Sequence, residues 1–120
     1  MRHIKAEERR NEMTVAKLVD FEGITPVFVA DETREIENVY IGDLLSWVMG
    51  RAPENCAWLT IMSNRNVAAV ATLADTSAVV LVEGVMPDEA LLNVVKQKGI
   101  NLFSCTLTAY ELAVKLSSEI

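Results

Sequence analysis

Histidine occurs once in this chain and cysteine twice, and those scarcities exclude most metal and nucleophile chemistry at the outset. A structural zinc or iron–sulfur site takes about four thiolate or imidazole ligands, more than one chain supplies here unless subunits pool theirs. Cys56 and Cys105 lie far apart, form no CxxC and sit in apolar surroundings, as two small buried hydrophobes in a reducing compartment would. Cys105 beside Thr106 has no histidine base near it, because the lone His3 stands at the start of the chain. Neither a GxxxxGK[ST] phosphate loop nor a GxGxxG fingerprint occurs. Asp43 and Glu83 fit helix-cap and strand-end positions without serving as an acid–base pair. The expectation is a protein that is not an enzyme, with no catalytic residue, no metal and no cofactor.

Long hydrophobic runs are missing too. Charge-free stretches such as 99–110 fall well short of the ~20 apolar residues that span a membrane. The charged start has no apolar signal core, so a cytoplasmic protein is expected, away from any membrane. The formal charge is -6, and the basic residues form no stripe with interleaved aromatics, which argues against nucleic acid. What the chain has in quantity is apolar residues, 51% of the sequence, with mean hydropathy +0.23. A chain of 120 residues makes one domain that buries about two-thirds of its unfolded surface. An apolar excess at this size implies both a full core and a homo-oligomer, a dimer being favoured.

The pattern along the chain alternates strand and helix. Residues 1–12, with Arg2, Lys5, Arg9 and Arg10, read as a frayed, solvated lead-in to a domain over 13–120. Thr14 is a candidate N-cap for a helix carrying Val15, Leu18 and Val19, which Gly23 ends. Pro26 opens a strand over Val27–Ala30, and 36–41 is extended again. Asp43 is expected to cap a helix whose buried stripe is Leu44, Leu45, Val48 and Met49, with Trp47 on its border and Gly50 and Pro53 stopping it. Trp58–Met62 is a nearly continuous apolar run and Ala78–Val82 a fully apolar one, as strands covered on both faces require. Asn66 is the expected cap of the helix between them, whose inner face is Val67, Val70, Ala71 and Ala74. Pro87, Asp88, Glu89 and Gly99 bracket the clearest helix. Leu102-Phe103 marks the last strand, and Thr108 to Glu111 is a capping box for a final helix with Ala109, Leu112, Ala113 and Leu116 inward.

Four successive strand–helix units imply an α/β domain, a mostly parallel sheet of about five strands with helices on both faces. In such sheets ligands bind beyond the carboxyl ends of the strands, near helix N-termini. That rim is Gly42, Asp43, Ser63, Asn64, Arg65, Asn66, Glu83, Gly84, Ser104, Thr106 and Thr108. It is rich in hydroxyl and amide groups, with Arg65 its one cation, and it suits a small anionic or nucleotide-like ligand. Turns and caps demand the same polarity for their own reasons. Trp47 and Trp58 flank the helix after Asp43; each is either core or an anchor for a second subunit.

Gly42-Asp-Leu-Leu-Ser-Trp-Val-Met-Gly-Arg-Ala52, Ala57-Trp-Leu-Thr60, Asn66-Val-Ala-Ala-Val70, and Gly99-Ile-Asn-Leu-Phe-Ser104 leading into Thr108-Ala-Tyr-Glu111 resemble the DRTGG domain over residues ~13 to 117. The pentapeptide of that name is absent, with Tyr40-Ile-Gly-Asp43 in its place, so no role tied to it is carried over. The resemblance implies a fold similar to the N-terminal domain of HPr kinase/phosphatase, without its kinase activity. It also implies a regulatory or sensor role, and free-standing versions of the domain are associated with hydrogenase or redox gene clusters. The two readings of function are thus a non-catalytic regulatory domain that self-associates and binds a ligand on the rim, and an adaptor binding a redox or signalling protein.

Overall fold

The computed structural model describes residues 13–120, so the lead-in expected over residues 1–12 lies outside the described residues. Five strands, β1 (Ile24–Phe28), β2 (Asn38–Ile41), β3 (Cys56–Thr60), β4 (Ala78–Leu81) and β5 (Leu102–Cys105), form one sheet in the order β1-β5-β4-β3-β2. The last four are parallel to one another, and β1 runs antiparallel along β5. Each parallel strand leads into a helix: α1 (Leu45–Arg51), α2 (Asn66–Ala74), α3 (Glu89–Lys98) and α4 (Ala109–Ser117). The mostly parallel α/β domain read from the sequence is what forms. Among the described residues no helix is long and apolar enough to cross a membrane.

The continuous apolar runs are explained by two cores, one on each side of the sheet. Side chains alternate along a strand, so Cys56 and Trp58 of β3 face α1, α2 and α3, where Val48, Val67, Ala71, Leu91 and Val95 are buried. Ala57 and Leu59 face the other way, onto Leu112 and Leu116 of α4 and onto Val15 and Leu18. Each large side chain buried this way contributes roughly 1.5–3 kcal/mol. Ala68, Ala71 and Ala74 lie inward on α2 and are buried, so these small residues let that helix approach the sheet closely.

Local chemistry at the helix ends decides several boundaries. Asp88 caps α3, its carboxylate accepting from Leu91 N–H at 2.8 Å. Pro87 therefore precedes the cap and is not in the first turn. Gly99 closes α3 at φ +68°, the left-handed conformation that glycine adopts without penalty. The capping box of α4 forms in both directions, Thr108 Oγ1 accepting from Glu111 N–H and Glu111 Oε1 accepting from Thr108 N–H.

Other local expectations are corrected. The segment after Thr14 is a 3-10 helix over Val15–Asp20, and the Thr14 side chain makes no cap bond. Val15 and Ala16 N–H are instead donated to Arg34 O and Glu32 O, so a neighbouring turn supplies the acceptors. Val19 is exposed. β1 begins at Ile24, two residues ahead of Pro26, and ends at Phe28; proline is tolerated because this is an edge strand. In α1 only Val48 of the expected stripe is fully buried, and Leu44, Trp47 and Met49 are exposed. The helix is seven residues long and lies against α2, which leaves too few turns to bury a wider stripe. Asn66 is the first residue of α2 and caps nothing; Asn64 Oδ1 takes that part, accepting from Asn66 N–H at 2.9 Å.

Candidate functional site

The carboxyl ends of the parallel strands bring the rim loops side by side in the order Ser104–Thr108, Glu83-Gly84, Ser63–Asn66 and Gly42-Asp43, following the strand order. Most of their polar groups hold the rim together. Asp43 does not cap α1, whose N-cap is Leu44 without a side-chain bond. Its carboxylate reaches across to β3, accepting from Thr60 Oγ1 at 2.7 Å and from Ile61 N–H at 2.9 Å. Gly42 O accepts from Trp58 Nε1–H at 2.8 Å. Glu83 and Gly84 both have positive φ and donate their N–H groups to Leu107 O and Cys105 O. Ser104 Oγ donates to Val85 O, and Ser63 O accepts from Asp88 N–H. Thr106 N–H is donated to Gly23 O, where a Cβ on Gly23 would lie 2.6 Å from Thr106 Oγ1. Gly23 also sits at φ +83°, a conformation that favours glycine.

What the rim leaves uncommitted is a smaller set. Arg65 is exposed and makes no ion pair with any described residue. Asn66 and Glu83 are exposed beside it in the strand order, and a Cβ on Gly84 would meet open space. The result is a hydrogen-bonded edge on which the Arg65 guanidinium pairs with no other described residue, alongside the carboxylates of Asp43 and Glu83.

The opposite end of the sheet holds a polar cluster that sequence reading missed. Arg34 Nη2 donates to Asn55 Oδ1 at 3.0 Å, to Asp75 O at 2.7 Å and to Asp75 Oδ1 at 2.8 Å. Asn55 and Asp75 both sit at positive φ, and Asn55 Nδ2 donates to Glu37 Oε2. Asn101, nearly fully buried, accepts from Ala30 and Asp31 N–H and donates to Asp31 O and Ser77 O. The available signal was the placement of Asn55 and Asp75 just before strands, since these residues tolerate the left-handed conformation.

The two thiols lie on opposite faces of the sheet, Cys56 in one core and Cys105 in the other, so they cannot pair or share a ligand within one chain. Burial pushes the Cys56 thiol up to about 11 and raises that of Cys105, so both are protonated at neutral pH. Among the described residues no three His, Cys, Asp or Glu side chains gather as metal ligands. Of the two tryptophans, Trp58 is completely buried and offers a second subunit no surface. Trp47 is 55% exposed, with the Arg51 guanidinium 3.9 Å above its ring.

The fold is thus a five-stranded, mostly parallel α/β sheet with helices on both faces. No protein-family model matches this sequence, and no curated protein matches it either. Among solved structures it is similar to the CBS and DRTGG domains of the regulatory region of a Clostridium perfringens pyrophosphatase, crystallised with the activator diadenosine tetraphosphate. The TM-score is 0.73 at 10% sequence identity, over 99% of this chain and 52% of the other. The chain thus spans about half of that regulatory region, and at such identity the likeness is one of fold.

Proposed function

We propose that residues 13–120 form a non-catalytic regulatory domain of the DRTGG type, cytoplasmic, that holds a small anionic, nucleotide-like ligand on the carboxyl rim of its sheet. The observation that carries this reading is Arg65, exposed and unpaired among the described residues where open parallel sheets bind ligands. The loops around it are fixed in place by their own hydrogen bonds. In this reading Arg65 meets the ligand's phosphate, with Ser63, Asn66, Gly84 and Thr106 beside it. Gly42, Asp43, Asn64, Glu83, Ser104 and Thr108 shape the rim. That a regulatory region of similar fold was crystallised with a nucleotide activator supports the choice of ligand class.

Thermal-shift titration with diadenosine tetraphosphate, ATP, AMP and pyrophosphate tests it. A true ligand at about 100 times its Kd adds about 2.7 kcal/mol of stability. Arg65→Ala should remove that shift and leave the ligand-free melting temperature alone. No shift with any of them overturns the reading.

A second reading, an adaptor that binds protein, is favoured by a specific surface. Leu44, Trp47 and Met49 are 60%, 55% and 47% exposed on and beside α1, an unusual gathering for a free surface. In the regulatory reading that surface joins two copies of the chain, and in the adaptor reading it binds a different protein. Light scattering separates them: a dimer that Trp47→Ala dissociates supports the first, and a monomer that loses a co-purified protein with Trp47→Ala supports the second.

A further inference from the structure

β1 and β2 are the outer strands of the sheet, and they are guarded unequally. β1 carries Pro26 and an irregular register between Pro26 and Phe28, two devices that stop an edge from pairing further. β2 reads Asn-Val-Tyr-Ile, with no proline and no charge, and its register with β3 is unbroken. Glu37 N–H is donated to Asn55 O on the β3 side. At the far end of the strand Gly42 N–H is donated to Leu59 O, also on the β3 side. Backbone groups alternate between the two edges of a strand, and in the register of β2 with β3 Asn38 and Tyr40 face β3 while Val39 and Ile41 turn their N–H and C=O groups outward. Beside this edge, between β2 and α4, runs a groove of about 440 Å³ lined by Val39, Ile41, Ala113 and Ile120, with Glu37 and Ser117 among its polar residues.

We infer that this edge accepts an extended segment of another protein in which apolar and basic residues alternate. The added segment pairs its backbone with Val39 and Ile41 and sets every second side chain into the groove beside α4, the mode in which main-chain bonds give affinity and side-chain pockets give specificity. Charge selects the occupant. Glu37 is the one charged side chain lining the groove. The neighbouring cations are engaged elsewhere: Lys115 of α4 leans to Glu22 at 3.9 Å, and Arg34 is held by Asp75. A basic segment is therefore attracted and an acidic one repelled by a chain of net charge -6. A second copy fits worse, because antiparallel β2–β2 pairing sets the Glu37 end of one strand against the Asp43 end of the other, and like charges facing each other destabilise a sheet. This surface is separate from the rim and does not depend on the rim's ligand.

The test is fluorescence anisotropy with the full chain and a labelled peptide of alternating valine and lysine. Its counterparts are a peptide with glutamate for lysine and one with an N-methylated backbone. The lysine peptide should bind, and both counterparts should bind about ten-fold or more weakly. Proline is tolerated at an edge position whose N–H faces outward. Ile41→Pro should therefore keep the melting temperature within a few degrees and abolish peptide binding, and Glu37→Lys should invert the charge preference. Lysine-peptide binding that is absent, or indifferent to Ile41→Pro, overturns the inference. So does an Ile41→Pro variant that dissociates a dimer, which would make a second copy the occupant. Strong hydrogen-exchange protection of the Val39 and Ile41 amides in the monomeric chain also overturns it, since the chain's own residues would then cover the edge. A nucleotide-induced shift that survives in Ile41→Pro keeps the rim reading intact whatever happens here.

Discussion

At the amino ends of the strands, Arg34 spends its guanidinium on Asn55 and on both the backbone and the side chain of Asp75, whereas at the carboxyl ends Arg65 is exposed and bonds no described side chain. The same residue type does structural work at one end and remains available at the other. Asn101 and Asn66 repeat the contrast. The first is buried and bonds four backbone groups, while the second is exposed at the start of α2. Parallel sheets impose this asymmetry: each carboxyl end opens into a helix N-terminus, while the amino ends must tie off the returning connections with whatever side chains can reach them.

The comparison breaks most visibly at Asn101. Asn101→Ala leaves two N–H groups and two carbonyls without their partner in a buried place, and unfolding in urea should show a loss of about 3 kcal/mol. Arg34→Ala removes three charge-assisted bonds from a partly exposed side chain, and the same measurement should give about 2 kcal/mol. At the other end Thr108→Ala, which deletes a cap, should cost about 1 kcal/mol. That cap has a pH signature. The Thr108 backbone N–H, and after it the Thr108 hydroxyl, holds the Glu111 carboxyl below its ordinary value of 4.5. A lowered folded-state value means that the stabilisation is present above 4.5 and is lost as pH falls through the lowered value. The acid limb of a stability–pH curve should therefore be shallower in Glu111→Gln than in the parent chain. The smallest effect is expected at Arg65, where Arg65→Ala should change stability by no more than about 0.5 kcal/mol while abolishing any nucleotide-induced shift. If Arg65→Ala proved as costly as Arg34→Ala, the contrast between the two ends would fail.

How far the sequence can be read depends on the range of the interactions involved. Trp58–Met62 and Ala78–Val82 announce buried strands because each is apolar on both faces, and the structure buries β3 and β4 throughout, although β3 runs two residues earlier, over Cys56–Thr60, and leaves Ile61 exposed. Asp88, Gly99 and the Thr108–Glu111 pair announce their helix ends because capping is settled within a few residues. Asp43 misled for the same reason: beside Leu44 and Leu45 it has the local look of a cap, yet its acceptors are claimed by Thr60 and Ile61, seventeen and eighteen residues away. The stripe assigned to α1 failed because amphipathic spacing gives a face but not how many turns of it meet a neighbour. The rim was foreseeable as a place, since strand–helix junctions are visible in the sequence. Which rim groups stay uncommitted was not, because that depends on loops that meet only in three dimensions.

The sequence by itself determined the alternation of strands and helices and the caps at Asp88, Gly99 and Thr108, all of which rest on local spacing and residue type. Tertiary structure alone decided that β1 turns antiparallel against β5, that Cys56 and Cys105 face opposite cores, that Trp58 is sealed in while Trp47 is not, and that Arg34 is bound while Arg65 is exposed and pairs with no described residue. Those outcomes depend on which distant groups reach each other first to satisfy buried hydrogen bonds and apolar area, and pattern along a chain carries no record of that competition.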